Sequence, residues 1–282
     1  MAAGLYLIGI GPGGIAGMTR EAISVAKSAD VRRFEAYTAL WEEDAISELE
    51  EEIGDIVRVM RPEVEEPDDL FGMASKSKVA LLVVGDPLQA TTHVDLQLRA
   101  IEAGINCHII HGISITGIVT GAVGLSNYKF GRQTTLTYPY GGWVATSPLE
   151  VIALNRVQEL HTLVLLDLDP TGAGVGEQRP MQPLDAAEAL RAMAAKLESE
   201  IEHMQIESSL ERLKVEAAKK ICEDIEGLPV VLCTDMGTPD QRILSCSVSE
   251  LGDAQEGRLH CLIIPANTSE IENLALQRWS ME

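Results

Sequence analysis

Short apolar runs that stop at glycine, each followed by a stretch of helical spacing, constrain this chain more than any other feature. Val79 to Val84 (VALLVV) is the strongest, a continuous run closed by Gly85-Asp86-Pro87, and it reads as a strand buried on both faces. Leu5 to Ile10 (LYLIGI) reads the same way, and Val31 to Tyr37 and Asn106 to Ile110 read as further strands. Between them the spacing predicts four helices. One starts at Thr19 as N-cap, carries Glu21 in its first turn and runs to Ala29; the others cover Trp41 to Ile53, Thr91 to Ala103 with Gly104 as its stop, and Ser114 to Val123. Strand alternating with helix is the pattern of an open, mostly parallel sheet.

From Thr134 the texture changes. Thr134 to Tyr138, Thr162 to Leu168, Leu228 to Cys233, Arg242 to Val248 and His260 to Ile264 read as strands of a second, partly antiparallel sheet. The expected fold class is α/β with two domains, residues 1–132 and 133–282, in line with about 150 residues per domain. Pro170 to Pro183 reads as a loop. The acidic stretch 185–227 repeats apolar residues at helical spacing and is expected as one long or two shorter surface helices, an insertion in the second domain.

Charge narrows the partners. Twenty-two Lys and Arg face 43 Asp and Glu, a formal charge of −21. A protein that gripped phosphate backbones by releasing counterions would work against that field, so no nucleic-acid partner is expected. Five cysteines, odd in number and without CxxC spacing, fit free thiols in a reducing compartment, and the expected location is cytoplasmic. No apolar run approaches the ~20 residues that cross a bilayer, and no signal-peptide layout precedes the first strand.

Three motifs invite chemical readings. Gly9-Ile10-Gly11-Pro12-Gly13-Gly14 satisfies G-x-G-x-x-G after a strand. A dinucleotide cradle needs the helix to open inside the glycines, whereas Pro12 to Gly17 postpones it to about Thr19; a tight turn is the competing reading. Asp86 follows VALLVV directly and Ser114 follows the strand ending at Ile110. Ligands of open parallel sheets bind beyond the carboxyl ends of strands, so this carboxylate and hydroxyl point to a small polar ligand. Each also has a plain role, Asp-Pro as turn former and Ser114 as N-cap. His108 and His111 fall on opposite faces of a strand, and no metal site is expected. Gly112 to Thr116 lacks the last glycine of a serine-hydrolase elbow.

Seven segments in order across nearly the full length, LYLIGIG from Leu5, FEAYT from Phe34, GDPLQATTH from Gly85, HGISI from His111, YKFG from Tyr128, LHTLVLLD from Leu160 and HCLIIP from His260, resemble those of the diphthine synthases. These are the methyltransferases of diphthamide biosynthesis within the tetrapyrrole-methylase superfamily. The resemblance implies two α/β domains, a cytoplasmic homodimer and S-adenosylmethionine bound folded in the cleft between the domains. It implies cofactor contacts from Pro12, Asp86, Gln89, Ser114 and Ile115, and from Leu166, Asp235 and His260. It also implies the activity, N-methylation of a modified histidine of translation elongation factor 2 to the trimethylammonium. No residue stands out as a general base. The glycine loop lacks the acidic residues usual in the family and resembles that of corrin and sirohaem methylases, so a tetrapyrrole C-methylase is the alternative. A dinucleotide oxidoreductase and a non-enzymatic binding module are two further readings.

Overall fold

In a computed structural model the described residues are 2–175, 177–203 and 206–280. They form two compact units, Met1–Ile118 with Ala173–Gln178 and Gly237–Pro239, and Val119–Gly172 with Arg179–Met236 and Asp240–Glu282. Residues 119–132 thus group with the second unit, ahead of the expected boundary, although both sheets change over within the span from residue 110 to 134 that contains it.

The first unit holds β1 (Gly4–Gly9), β2 (Val31–Glu35), β3 (Val57–Val59), β4 (Lys78–Val83) and β5 (Cys107–Ile110) in the order β3-β2-β4-β1-β5, every pair parallel. Its helices are α1 (Arg20–Lys27), α2 (Glu43–Ile53), α3 (Arg61–Glu65), α4 (Asp68–Ala74) and α5 (His93–Glu102), and α6 (Ile115–Ala122) follows β5. The continuous apolar runs are explained by two cores. Ile8, Ala80 and Leu82 pack with Ala22, Val25 and Leu49 of α1 and α2, while Leu7, Val79 and Leu81 pack with Val64, Leu70 and Leu96 of α3, α4 and α5. Successive strand residues point to opposite faces, so both must be apolar. β3 shows no such run because Val57 and Arg58 are exposed, and α3 and α4 are too short to show a period, so the sequence pattern missed all three.

The second unit holds β6 (Thr134–Leu136), β7 (Thr162–Leu166), β8 (Pro229–Thr234), β9 (Arg242–Ser247) and β10 (His260–Ile264) in the order β6-β7-β10-β8-β9. β6 and β7 are parallel and the other pairs antiparallel, a mixed sheet as expected. Its helices are α7 (Ser147–Val157), α8 (Pro183–Ile201), α9 (Ser209–Glu223), α10 (Val248–Leu251) and α11 (Glu270–Gln277). α7 was not legible because Pro148, Leu149, Val151, Ile152 and Ala153 are all buried, which leaves no amphipathic stripe. The expected surface helices are α8 and α9, and they are not surface additions. Leu190, Met193, Leu197, Val215 and Ile221 are buried in the core that also takes Leu149, Val164, Val230 and Leu262. Among the described residues no helix is long and apolar enough to cross a membrane.

Candidate active site

In the first sheet the chain leaves β1 toward β2 and leaves β4 toward β5, so the connections of these neighbouring strands depart to opposite sides. Both connections start from the carboxyl ends of the strands, the end of the sheet at which open α/β sheets bind ligands. At these two tips Gly11 and Gly85 exchange backbone hydrogen bonds: Gly11 N–H donates to Gly85 at 3.2 Å and Gly85 N–H to Gly11 at 3.0 Å. The Gly11 carbonyl also accepts the Trp41 indole N–H at 3.0 Å. The glycine motif is therefore a turn tied to the next loop. α1 opens only at Arg20, with Thr19 Oγ1 accepting the Ala22 N–H, which removes the helix N-terminus a pyrophosphate would need. Pro12 packs on Gly237, where a Cβ would come within 2.6 Å of Pro12 Cγ.

Asp86 is 4 % exposed and its carboxylate is fully engaged. Oδ1 accepts the Leu88 N–H at 3.0 Å, and Oδ2 accepts from His111 Nδ1 at 2.8 Å and from the Gly112 N–H at 3.3 Å. The aspartate folds its own loop and pins it to the tip of β5. The rest of GDPLQATTH closes on Pro87, whose carbonyl accepts Thr91 Oγ1–H at 2.7 Å and His93 Nδ1–H at 3.0 Å. Thr116 Oγ1 bridges Gln89 and Ser114, donating to Gln89 Oε1 at 2.6 Å and lying 3.0 Å from the Ser114 hydroxyl. Pro12, Asp86, Gln89, Ser114 and Ile115 are thus gathered on the β1, β4 and β5 tips. Over them Gly85 (φ +77°) lacks a Cβ whose nearest neighbour would be Ser114 Cα at 4.0 Å, so the backbone there is open to a bound molecule. Backbone, hydroxyl and amide groups around one buried carboxylate suit a cationic, hydroxyl-rich ligand. Among the described residues no group of three metal-ligating side chains occurs, and His108 stacks on Tyr6 at 4.5 Å rather than joining His111.

The other three expected residues lie at one end of the second sheet, the end of β7 and β8 and the start of β10. Leu166 is a core side chain. Asp235, at φ +50°, accepts the backbone N–H groups of Arg258 and Leu259 and clamps the turn into β10. His260 is buried: its Nδ1 accepts from Thr234 Oγ1 at 2.9 Å and its Nε2 donates to Gln182 Oε1 at 3.2 Å. Burial lowers its pKa to about 4, helped by Arg242 and opposed by Asp235 and the Gly257 backbone. Both His260 nitrogens are therefore occupied within this unit, and the imidazole is neutral at neutral pH.

Two segments singled out above, YKFG and LHTL, meet at a residue the sequence did not mark. Glu272, 4 % exposed on α11, accepts the Ser126 and Ser269 N–H groups, Lys129 Nζ at 2.9 Å and His161 Nε2–H at 3.3 Å. His161 Nδ1 in turn accepts the Ala266 N–H at 2.9 Å, and burial lowers its pKa. For Glu272, burial raises the pKa but these hydrogen bonds outweigh it and hold the carboxyl well below its usual range.

The model of the tetrapyrrole (corrin/porphyrin) methylases matches residues 4–252. The diphthine synthase of Methanocorpusculum labreanum is 31% identical over 98% of both chains. This chain belongs to the diphthine synthases. A diphthine synthase crystal structure superposes with a TM-score of 0.79 at 28% identity, covering 98% of this chain and 95% of that one. The diphthine methyl ester synthase of Yarrowia lipolytica is 33% identical over 93% of this chain and 84% of its own length. As a diphthine synthase the chain is a methyltransferase of diphthamide biosynthesis, dependent on S-adenosylmethionine.

Proposed function

We propose that the chain transfers methyl groups from S-adenosylmethionine to the amino nitrogen of a modified histidine on translation elongation factor 2, repeatedly, until a trimethylammonium is reached. The observation that carries the cofactor site is the pair of hydrogen-bonded tips, Gly11 with Gly85, with Asp86 buried beneath an open backbone face. Pro12, Asp86, Gln89, Ser114 and Ile115 hold the cofactor in the first unit. Leu166, Asp235 and His260 are proposed as contacts through backbone, since their side chains are already engaged.

When bound, S-adenosylmethionine supplies a methyl group on a cationic sulfur. What the chain does is position and exclude water. Asp86 holds the β4 and β5 tips in register through Leu88, His111 and Gly112, and its charge favours a cation nearby. Thr116 orients Gln89 and Ser114. The acceptor amine must be neutral to attack, which a water-poor site promotes by lowering its pKa.

Incubating the protein with radiolabelled S-adenosylmethionine and precursor-bearing elongation factor 2 tests the reading. Label in the factor is expected, rising to three methyls by mass, and none would overturn it. Calorimetry with S-adenosylhomocysteine should give binding at least ~10-fold weaker for Asp86→Ala, about 1.4 kcal/mol; unchanged affinity would remove Asp86 from the site. The family also supports a cytoplasmic homodimer, for which light scattering should return twice the 30.5 kDa chain mass.

A further inference from the structure

Diphthine can form a methyl ester, as the name of the Yarrowia lipolytica relative states, so the side chain being methylated carries a carboxyl group as well as the amine. An enzyme that alkylates the amine alone gains from holding that carboxylate away from the sulfonium. The first unit contains two buried polar atoms suited to this that no hydrogen bond uses, the Tyr37 hydroxyl and Arg61 Nε, while the outer end of the Arg61 guanidinium pairs with Glu65 at 3.6 Å.

Tyr37 follows β2 and Arg61 follows β3, so both stand at the carboxyl ends of the same parallel sheet as Gly11 and Asp86. Tyr37 is 5 % exposed, yet its Oη has no hydrogen-bond partner, and neither does the buried Arg61 Nε. Arg61 lies over the Tyr37 ring, its Cζ 5.3 Å from the centroid. Its backbone N–H donates to the Gly174 carbonyl, and a Cβ on Gly174 would stand 2.4 Å from its Nε. Gln178, also in the first unit, has both amide atoms buried and unpartnered. Burial raises the Tyr37 pKa, with Glu35 and Glu65 adding to the rise, so the phenol is a neutral donor. Buried polar groups almost always find partners; a phenol O–H and a guanidinium Nε–H left open at the carboxyl end of one sheet form a donor pair for a planar anion.

We propose that Tyr37 and Arg61 form a carboxylate subsite that receives the acid group of the modified histidine side chain. This rests on the functional reading above and adds the part of the substrate it holds. It is separate from the cofactor contacts, so acceptor binding should depend on these residues and cofactor binding should not.

The test measures the affinity of precursor-bearing elongation factor 2 and of the same factor with unmodified histidine, both with S-adenosylhomocysteine present, for wild type, Tyr37→Phe, Arg61→Gln and Arg61→Lys. Tyr37→Phe removes only an unpartnered hydroxyl, so a merely structural role leaves its melting temperature at or above wild type and its affinities unchanged. The proposal expects the modified factor to bind at least tenfold more weakly to Tyr37→Phe and Arg61→Gln, with partial recovery in Arg61→Lys. The unmodified factor and S-adenosylhomocysteine should bind all four proteins alike. Equal weakening toward both factors, or no weakening toward either, overturns the subsite. Wild type that transfers no label overturns the functional reading itself, whereas a transferring wild type with unaffected variants overturns the subsite alone.

Discussion

Glu272 and His260 are both buried and both held deprotonated, Glu272 by its hydrogen bonds and His260 by burial. Glu272 has a folded pKa below its unfolded value. Its contribution is therefore complete above the unfolded carboxylate range and is lost as pH falls through that range toward the folded value. Glu272→Gln leaves Lys129 and His161 without their anion, and we expect it to cost about 3 kcal/mol at pH 7 in denaturant unfolding, with the deficit shrinking at acid pH. His260 is a histidine held neutral: its folded pKa of about 4 lies below the ordinary ~6.5, so the unfolded chain binds the proton more readily. Stability from this group is complete above ~6.5 and drains away as pH falls toward 4. The melting temperature of wild type should drop between pH 7 and pH 5, and His260→Asn should melt lower at pH 7 but show a shallower drop. A slope unchanged in the variant would mean the ring is not the titrating group. Asp86 and His260 were legible as candidate residues, but their partners were not. Gln182 lies 78 residues from His260 and Gly112 lies 26 from Asp86, and no local pattern announces such pairs.

At the level of elements, the strands announced themselves wherever burial was two-sided. β1, and β4 after its first residue Lys78, carry no charged residue because helices cover both faces of their sheet. β3, with one buried residue, and α7, with six of its eleven residues buried and apolar residues on its outer face too, carry no usable period. The crossing of the β1, β4 and β5 tips is tighter than spacing alone reveals. A Cβ on Gly112 would sit 2.1 Å from the Gly85 carbonyl oxygen and 2.7 Å from Gly9 C, contacts between backbones that cannot give way. Gly112→Ala should therefore push the tips apart, destabilise by several kcal/mol and abolish S-adenosylhomocysteine binding in calorimetry. Gly117→Ala, on α6 with nothing within 4 Å of the added methyl, should be neutral or gain up to about 1 kcal/mol. Equal behaviour of the two variants would refute the packing argument.

Across the whole molecule, 43 acidic against 22 basic residues produce a self-repelling field. Screening shortens the reach of that field to about 3 Å at 1 M salt, so melting temperature should rise by several degrees between ~20 mM and ~0.5 M sodium chloride. A flat or falling curve would show that attractive ion pairs such as Lys129 with Glu272 outweigh the repulsion. By itself the amino-acid order determined the class of fold, the two sheets and the strand tips proposed to hold the cofactor, because burial of a strand is written in consecutive residues. It also showed that α1 starts too late to cradle a pyrophosphate, because caps are local. Only the tertiary structure decided what each polar residue is for. It turned Asp86, Asp235 and His260 into holders of loops, joined YKFG and LHTL through Glu272, and left Tyr37 and Arg61 with open valences. Hydrogen bonds are satisfied by whatever lies within about 3 Å in space, and chain separation carries almost no record of that distance.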